Sequence, residues 1–214
     1  NKLGMKNSNF INSSGWPEDN HYSTVFDLAI LSNAIIREFP NLYLYFSDEE
    51  FTYNEIKQPN RNKLLNSVQG ADGLKTGFTK VSGWGIAATA KREDRRITVV
   101  INGTNSSRSR MNESSNLINW AFSQTSQKEL VKKGEMILQA DVWLGNKPRV
   151  NLVSSKKVIS TLSFDQLQLI QSSTEYKKPI EAPIFKGNIY GKLLIKIEGK
   201  PNIEVELVAE EDVA

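Results

Sequence analysis

The sequence predicts an α/β domain followed by a small all-β sandwich, and three observations carry that reading. Helical spacing of apolar residues appears twice in the first half, from Val25 to Phe39 and from Met111 to Phe122. Between these stretches lie two β-rich runs, Trp84 to Ala90 and Arg96 to Ile101, around the charged turn Lys91-Arg92-Glu93-Asp94. From about Ser123 onward, short β-patterned runs alternate with turn signals. The expected division is therefore 1–123 and 124–214.

Taken in order, residues 1 to 20 are rich in Asn, Ser and Gly and read as loop. The sequon Asn12-Ser13-Ser14 arises easily in such a composition and carries no weight. His21 is the only histidine, and without a second ligand at helical or hairpin spacing it reads as a structural polar residue. Thr24 with Asp27 three residues on resembles a capping box. Val25, Leu28, Ala29, Ile35, Ile36 and Phe39 then share one helical face, which predicts a core helix ending at Pro40. Leu42 to Phe46 is short, aromatic and apolar. Asp48-Glu49-Glu50 has no apolar surroundings that would suit acid–base work and reads as a solvated loop. Gln58-Pro59-Asn60-Arg61-Asn62-Lys63 reads as a surface turn. Asn102 to Ser107 is a loop. Arg110 stands near the start of the second helix, where a cation gains nothing from the helix dipole, a hint of another duty.

Beyond the expected linker Gln124-Thr125-Ser126-Gln127-Lys128, strands are predicted at Met136 to Leu144, Arg149 to Val153, Lys157 to Leu162, Gly191 to Ile197 and Ile203 to Val208. Turns fall at Gly145-Asn146, Gly187-Asn188 and Gly199-Lys200-Pro201-Asn202. No catalytic constellation appears here, so this half is expected to support or position the other.

Composition sets the outer bounds. The chain of 214 residues is 39% hydrophobic and 24% charged, the balance of a folded globular protein. A net charge of +3, with no basic run interleaved with aromatics, gives no reason to expect nucleic acid. The absence of cysteine excludes disulfides, thiolate catalysis and zinc–thiolate sites. No stretch reaches the ~18 apolar residues of a membrane span. No signal peptide is visible, although a chain starting mid-domain could not show one.

The most informative stretch is Ala71-Asp72-Gly73-Leu74-Lys75-Thr76-Gly77-Phe78. Gly70 and Asp72-Gly73 supply a turn, and Leu74 begins a short strand. Lys75 offers a cation, Thr76 a hydrogen-bond donor for a carboxylate, and Gly77 a place where another backbone can approach closely. A bare Lys-Thr-Gly is an ordinary strand end. This one lies between a Gly-rich turn and Gly83-Trp84-Gly85, and it suits a peptide lying along a sheet edge.

With its flanks, the stretch resembles the third motif of the penicillin-recognising serine enzymes, whose set is S-x-x-K, S-x-N or S-D-N, and K-T-G. Further segments narrow the resemblance to the low-molecular-mass penicillin-binding proteins, the D-Ala-D-Ala carboxypeptidases. They are Leu3-Gly4-Met5-Lys6-Asn7-Ser8-Asn9-Phe10, His21-Tyr22-Ser23-Thr24 with Asp27-Leu28-Ala29, Gln58-Pro59-Asn60-Arg61-Asn62, and Arg108-Ser109-Arg110-Met111-Asn112-Glu113-Ser114. The resemblance implies the latter part of an α/β serine-transpeptidase/β-lactamase-like domain over 1–123 and the family's β domain over 124–214.

It also implies roles. Lys75 would polarise the serine network and Thr76 would bind the substrate carboxylate. Gly77 would give close access, and the N–H of Phe78 would be one of two oxyanion-hole donors. Arg110 would recognise the terminal carboxylate, and Arg61 would position substrate or loop near the cleft. The reaction implied is removal of the terminal D-alanine from peptidoglycan stem peptides through an acyl-serine, without a cofactor, and with β-lactams as acylating mimics. An extracytoplasmic or periplasmic location follows, with peripheral membrane attachment through a C-terminal amphipathic helix that these residues do not contain.

The sequence departs from the family pattern in one respect. Both S-x-x-K and S-x-N should precede K-T-G, and the chain is expected to begin just after S-x-N, so that the nucleophile lies outside it. Ser154-Ser155-Lys156-Lys157 and Ser114-Ser115-Asn116 fit those patterns but fall downstream of Lys75, and both read as accidents of composition. Two other readings stand beside the enzyme: a class A β-lactamase-like hydrolase, and a non-catalytic peptidoglycan-binding relative.

Overall fold

The computed structural model describes residues 2–214, so Asn1, the first residue of the expected N-terminal loop, lies outside it. The chain separates into two compact units, Asn1–Ser123 and Gln124–Ala214.

In the first unit the loop up to Asn20 is tied down by Asp27, whose Oδ2 accepts from the Asn7 N–H (2.9 Å) and the Ser8 hydroxyl (2.7 Å). Helix α1, Val25–Glu38, starts where the Thr24 side chain accepts from the Asp27 N–H. The short α2, Pro40–Tyr43, places proline at the first position, where its missing N–H has no helical partner to lose. A 3₁₀ turn, Leu44–Ser47, follows. The hairpin of β1, Glu50–Tyr53, and β2, Ile56–Pro59, takes in Glu50 from the expected solvated loop and Gln58 and Pro59 from the expected surface turn. Every one of its residues is exposed, so no buried alternation announced it in the sequence.

Strands β3, Ala71–Thr79, β4, Gly83–Arg92, and β5, Arg95–Thr104, then form an antiparallel sheet in the order β3-β4-β5. Helix α3, Ser107–Gln124, completes the unit. On one face of the sheet Ile86, Ala88 and Ala90 cluster with Val99 of β5 and Ile118 of α3. The opposite face meets α1, where the Thr98 hydroxyl donates to Asn33 Oδ1 (2.8 Å). The period-2 strand pattern is thus satisfied by one helix on each side. The apolar face expected of α1 is only partly covered: Leu28, Ala29, Ile35 and Ile36 are half-buried, and Val25 and Phe39 are exposed.

The second unit is built from β6, Thr125–Val131, β7, Met136–Trp143, β8, Arg149–Ser154, β9, Val158–Ser163, the short helix α4, Phe164–Gln168, β10, Gln171–Tyr176, β11, Ile180–Glu181, β12, Ile189–Lys196, and β13, Ile203–Ala209. Six strands form one sheet in the order β10-β12-β13-β8-β7-β11, and β6 pairs with β9 in a second. Alternation fixes the faces. Val205, Leu207 and Ala209 of β13 are buried while Glu204 and Glu206 are exposed. Those side chains share one core with Leu193 and Ile195 of β12, Val150 and Leu152 of β8, and Val131, Val158 and Leu162 of the small sheet. The segment expected as a linker, Gln124 to Lys128, is mostly strand, because β9 offers it a partner from Thr125↔Ser163 onward. Strand β10 was also invisible in sequence. Its Gln-Ser-Ser-Thr-Glu is polar and exposed, and it is strand because β12 pairs with it.

Candidate active site

Strand β3 carries the Lys-Thr-Gly stretch, and in the order β3-β4-β5 its second edge has no partner strand among the described residues. Thr76 points to the same face as Leu74 and is 8% exposed, whereas Lys75 and Gly77 are open to solvent. The Lys75 ammonium folds back onto the Thr76 carbonyl at 2.6 Å. A Cβ placed on Gly77 would meet nothing within 4 Å, so the space above this residue is free for another chain. Opposite Gly77 in the ladder is Gly85, and beside them Phe78 pairs with Trp84.

Arg110 reaches this rung from α3. Residues near the helix start turn it inward: the Ser106 hydroxyl accepts from the Ser109 N–H, and the Arg110 N–H donates to the Ser106 carbonyl. Its guanidinium donates from Nη1 to the carbonyls of Gly77 (3.1 Å) and Gly85 (3.3 Å) and from Nη2 to the Ser107 hydroxyl (3.3 Å). The guanidinium carbon also lies 5.2 Å from the centre of the Trp84 ring. Arg110 is 3% exposed, and burial pushes its pKa down from the usual arginine value. Its Nε has no hydrogen-bond partner among the described residues.

A polar network holds the other end of β3, and sequence reasoning missed it. Asp72 accepts from Arg96 through both oxygens, Nη1 to Oδ1 and Nη2 to Oδ2, each at 2.7 Å. The Tyr43 hydroxyl donates to Asp72 Oδ1 at 2.6 Å, and Arg96 Nη1 also donates to the hydroxyls of Tyr43 (3.1 Å) and Thr89 (2.8 Å). Burial first, and then the hydrogen bond to Asp72, raise the Tyr43 phenol above its ordinary pKa. The hydrogen bond to Asp72 likewise raises Arg96. Buried Asn62 adds a donor to the Gly73 carbonyl at 3.1 Å. A Cβ on Gly73 would come within 2.9 Å of the Tyr43 hydroxyl, so a side chain there would push Tyr43 out of the network. The only signals in the sequence were an Asp-Gly pair and an arginine at a strand end, too common to single out.

The remaining expected residues fall as follows. Lys75, Thr76, Gly77 and Phe78 are consecutive on β3, and Arg110 contacts the Gly77 carbonyl. Arg61 stands apart, exposed in the turn after β2, and its side chain makes no hydrogen bond among the described residues; its neighbour Asn62 makes the link to β3. His21 Nδ1 accepts from the Ile11 N–H, and its ring meets Phe10 edge-on, a structural placement. Both look-alike serines are committed elsewhere. Ser114 is fully buried in α3 and donates to the Arg110 carbonyl, and Ser154 is buried and donates to the Lys156 carbonyl.

An antiparallel sheet between helices, with Lys-Thr-Gly on its free edge, defines a serine-transpeptidase-like fold. Residues 1–105 match the peptidase S11 family, described as D-alanyl-D-alanine carboxypeptidase, and residues 126–214 match the C-terminal domain of penicillin-binding protein 5. Residues 1–105 thus belong to the D-alanyl-D-alanine carboxypeptidase family and residues 126–214 to that of the penicillin-binding protein 5 C-terminal domain. It is 34% identical to the D-alanyl-D-alanine carboxypeptidase DacC of Escherichia coli over 99% of its own length and 54% of that protein's. Among solved structures it superposes on penicillin-binding protein 5 of Haemophilus influenzae with a TM-score of 0.78 and 32% identity, covering 100% of this chain and 63% of the other. Penicillin-binding protein D2 of Listeria monocytogenes, solved with cefotaxime bound, matches at a TM-score of 0.53 and 33% identity over 56% of this chain and 51% of its own. The chain spans about half the length of the curated relatives it matches.

Proposed function

We propose that this chain forms the substrate-binding and oxyanion side of a serine D-Ala-D-Ala carboxypeptidase. The observation that carries the reading is the edge of β3 that has no partner strand among the described residues, where Lys75, Thr76 and the unobstructed Gly77 follow one another. A stem peptide ending in D-Ala-D-Ala adds to that edge as a strand, through main-chain hydrogen bonds. The serine and its lysine base are assigned to the part of the relatives' length that this chain does not span. The serine oxygen attacks the carbonyl of the penultimate D-alanine, and the N–H of Phe78 is one of two donors that hold the oxyanion. The terminal D-alanine leaves, and water then hydrolyses the acyl-serine.

Within this scheme the Lys75 ammonium exchanges its contact with the Thr76 carbonyl for the serine network. The Thr76 hydroxyl, which makes no hydrogen bond among the described residues, donates to the terminal carboxylate. Arg110 supplies positive charge to the same carboxylate from behind the Gly77 rung, and exposed Arg61 guides the incoming substrate. A β-lactam enters the same edge in this scheme, and the relative from Listeria monocytogenes was solved in a cefotaxime-bound form. The first unit is the catalytic part and the second a support that positions it. An extracytoplasmic location follows from the substrate, with peripheral membrane attachment as the further expectation. No helix among the described residues is long and apolar enough to cross a membrane.

The test is made on the full-length protein with a fluorescent penicillin and a stem pentapeptide. The parent forms a covalent adduct and releases D-alanine, and Lys75→Ala slows acylation by both reagents. Absence of both activities in the parent would leave a non-catalytic peptidoglycan binder. A Lys75→Ala variant that acylates at the parental rate would reduce the Lys-Thr-Gly strand to a structural feature.

A further inference from the structure

We propose that Phe78 and Trp84 form a specificity-determining shelf that takes an aromatic side chain of the acyl donor. The inference rests on the carboxypeptidase reading above and adds to it the chemistry of the group beside the reacting carbonyl. On the α3 face of the sheet the successive rungs are Leu74↔Ala88, Thr76↔Ile86 and Phe78↔Trp84. Leu74, Thr76, Ala88 and Ile86 are buried, whereas Phe78 is 53% exposed. The face therefore runs from packed core into an open ring at the rung next to Gly77.

That ring is held in place. Its centroid lies 4.4 Å from that of Trp84 at an interplanar angle of 36°, and Trp84 is in turn packed by the Arg110 guanidinium. A shelf fixed from behind pays little ordering entropy when a ligand lands on it. A peptide added to the free edge of β3 sets its side chains ~4.5–5.5 Å from those of β3 on the same face. Because the Phe78 N–H faces the developing oxyanion, the substrate group nearest the Phe78 ring is the one attached next to the attacked carbonyl. In a penicillin that group is the acylamino side chain. Offset or edge-on stacking suits an aromatic group there better than a small or charged one.

The experiment compares acylation rate constants of the full-length protein with two penicillins that share one nucleus, carrying phenylacetyl and acetyl side chains. The readout is their ratio, which cancels any common effect on the Phe78 N–H. The expected result is a parental preference for phenylacetyl that Phe78→Ala reduces about twofold to thirteenfold, the contribution typical of an aromatic pair. Phe78→Tyr retains the preference, and Trp84→Leu, which removes the backing ring, loses part of it. A ratio unchanged in Phe78→Ala, or a fall shared equally by both penicillins, would overturn the shelf while leaving the carboxypeptidase reading intact. A parent acylated by neither penicillin would overturn the carboxypeptidase reading, and the shelf with it.

Discussion

At the scale of single residues, Arg110 and Gly77 make the sharpest claims. Arg110 holds its charge behind the Gly77 rung, with Nη1 on the Gly77 and Gly85 carbonyls and Nη2 on the Ser107 hydroxyl. What it offers a carboxylate is therefore a fixed positive charge and its remaining N–H groups. Bonds to charged groups are worth ~1.5–3 kcal/mol, or roughly 10- to 150-fold in rate. Arg110→Ala is therefore expected to lower kcat/KM on a D-Ala-D-Ala peptide by about that factor, with Arg110→Lys recovering part. Steady-state kinetics on the free acid and on a C-terminally amidated peptide check the role. If Arg110 serves the carboxylate, the variant loses little further on the amide; equal losses on both would mean that it acts by clamping the Gly77 and Gly85 carbonyls. Gly77 gives a complementary prediction. Its open surroundings let Gly77→Ala fold with a melting temperature near the parent's, but the added methyl stands where the substrate backbone must pass. Acylation is expected to fall by at least about tenfold, since 1.36 kcal/mol of lost contact is a decade. A variant that kept full activity would place the substrate elsewhere.

At the scale of the element, β3 is held at its start by Asp72, Arg96, Tyr43, Thr89 and Asn62. Arg96→Ala removes both bonds to Asp72 and leaves a partly buried carboxylate unpaired. The Arg96 and Asp72 side chains are 24% and 29% exposed, so solvent discounts the full cost of a broken buried pair, and a loss of about 1–3 kcal/mol is expected in denaturant unfolding. A change below measurement would show that the network is ornamental to β3. The Tyr43 phenol supplies a pH signature. Its folded pKa is raised above the ~10 of an unfolded tyrosine, so the folded state holds this proton more tightly. Its contribution is complete below about pH 10 and is lost as the pH rises further. Denaturation curves between neutral and strongly alkaline pH should show the parent losing stability more steeply above that point than Tyr43→Phe. Parallel curves would assign the alkaline loss to other groups.

At the scale of the whole molecule, the second unit has a core of its own, from Val131 to Val213, closed by alternating strands of two sheets. A segment with a continuous buried core folds as a unit. Residues 124–214 expressed alone are expected to give a β-rich circular dichroism spectrum and one cooperative thermal transition. A broad, featureless melt would mean that the boundary is misplaced.

What the sequence by itself determined was what local pattern and motif encode. The hairpin of β4 and β5 was readable because alternating Ile86, Ala88, Val99 and Ile101 flank a charged turn. The strands β7, β8, β12 and β13 alternate in the same way, and the Lys-Thr-Gly stretch with its flanks was legible as a family resemblance. What only the tertiary structure decided was whatever depends on a partner distant in sequence. Strands β1, β2, β6 and β10 are polar or exposed throughout or nearly so, and they are strands because another strand meets them. The same holds at the site. Asp72 and Arg96 are 24 residues apart, Arg110 and Gly77 are 33 apart, and neither pairing has a periodicity. A hydrogen bond between distant residues leaves no local trace in the chain, because its geometry exists only once the sheet and α3 have packed.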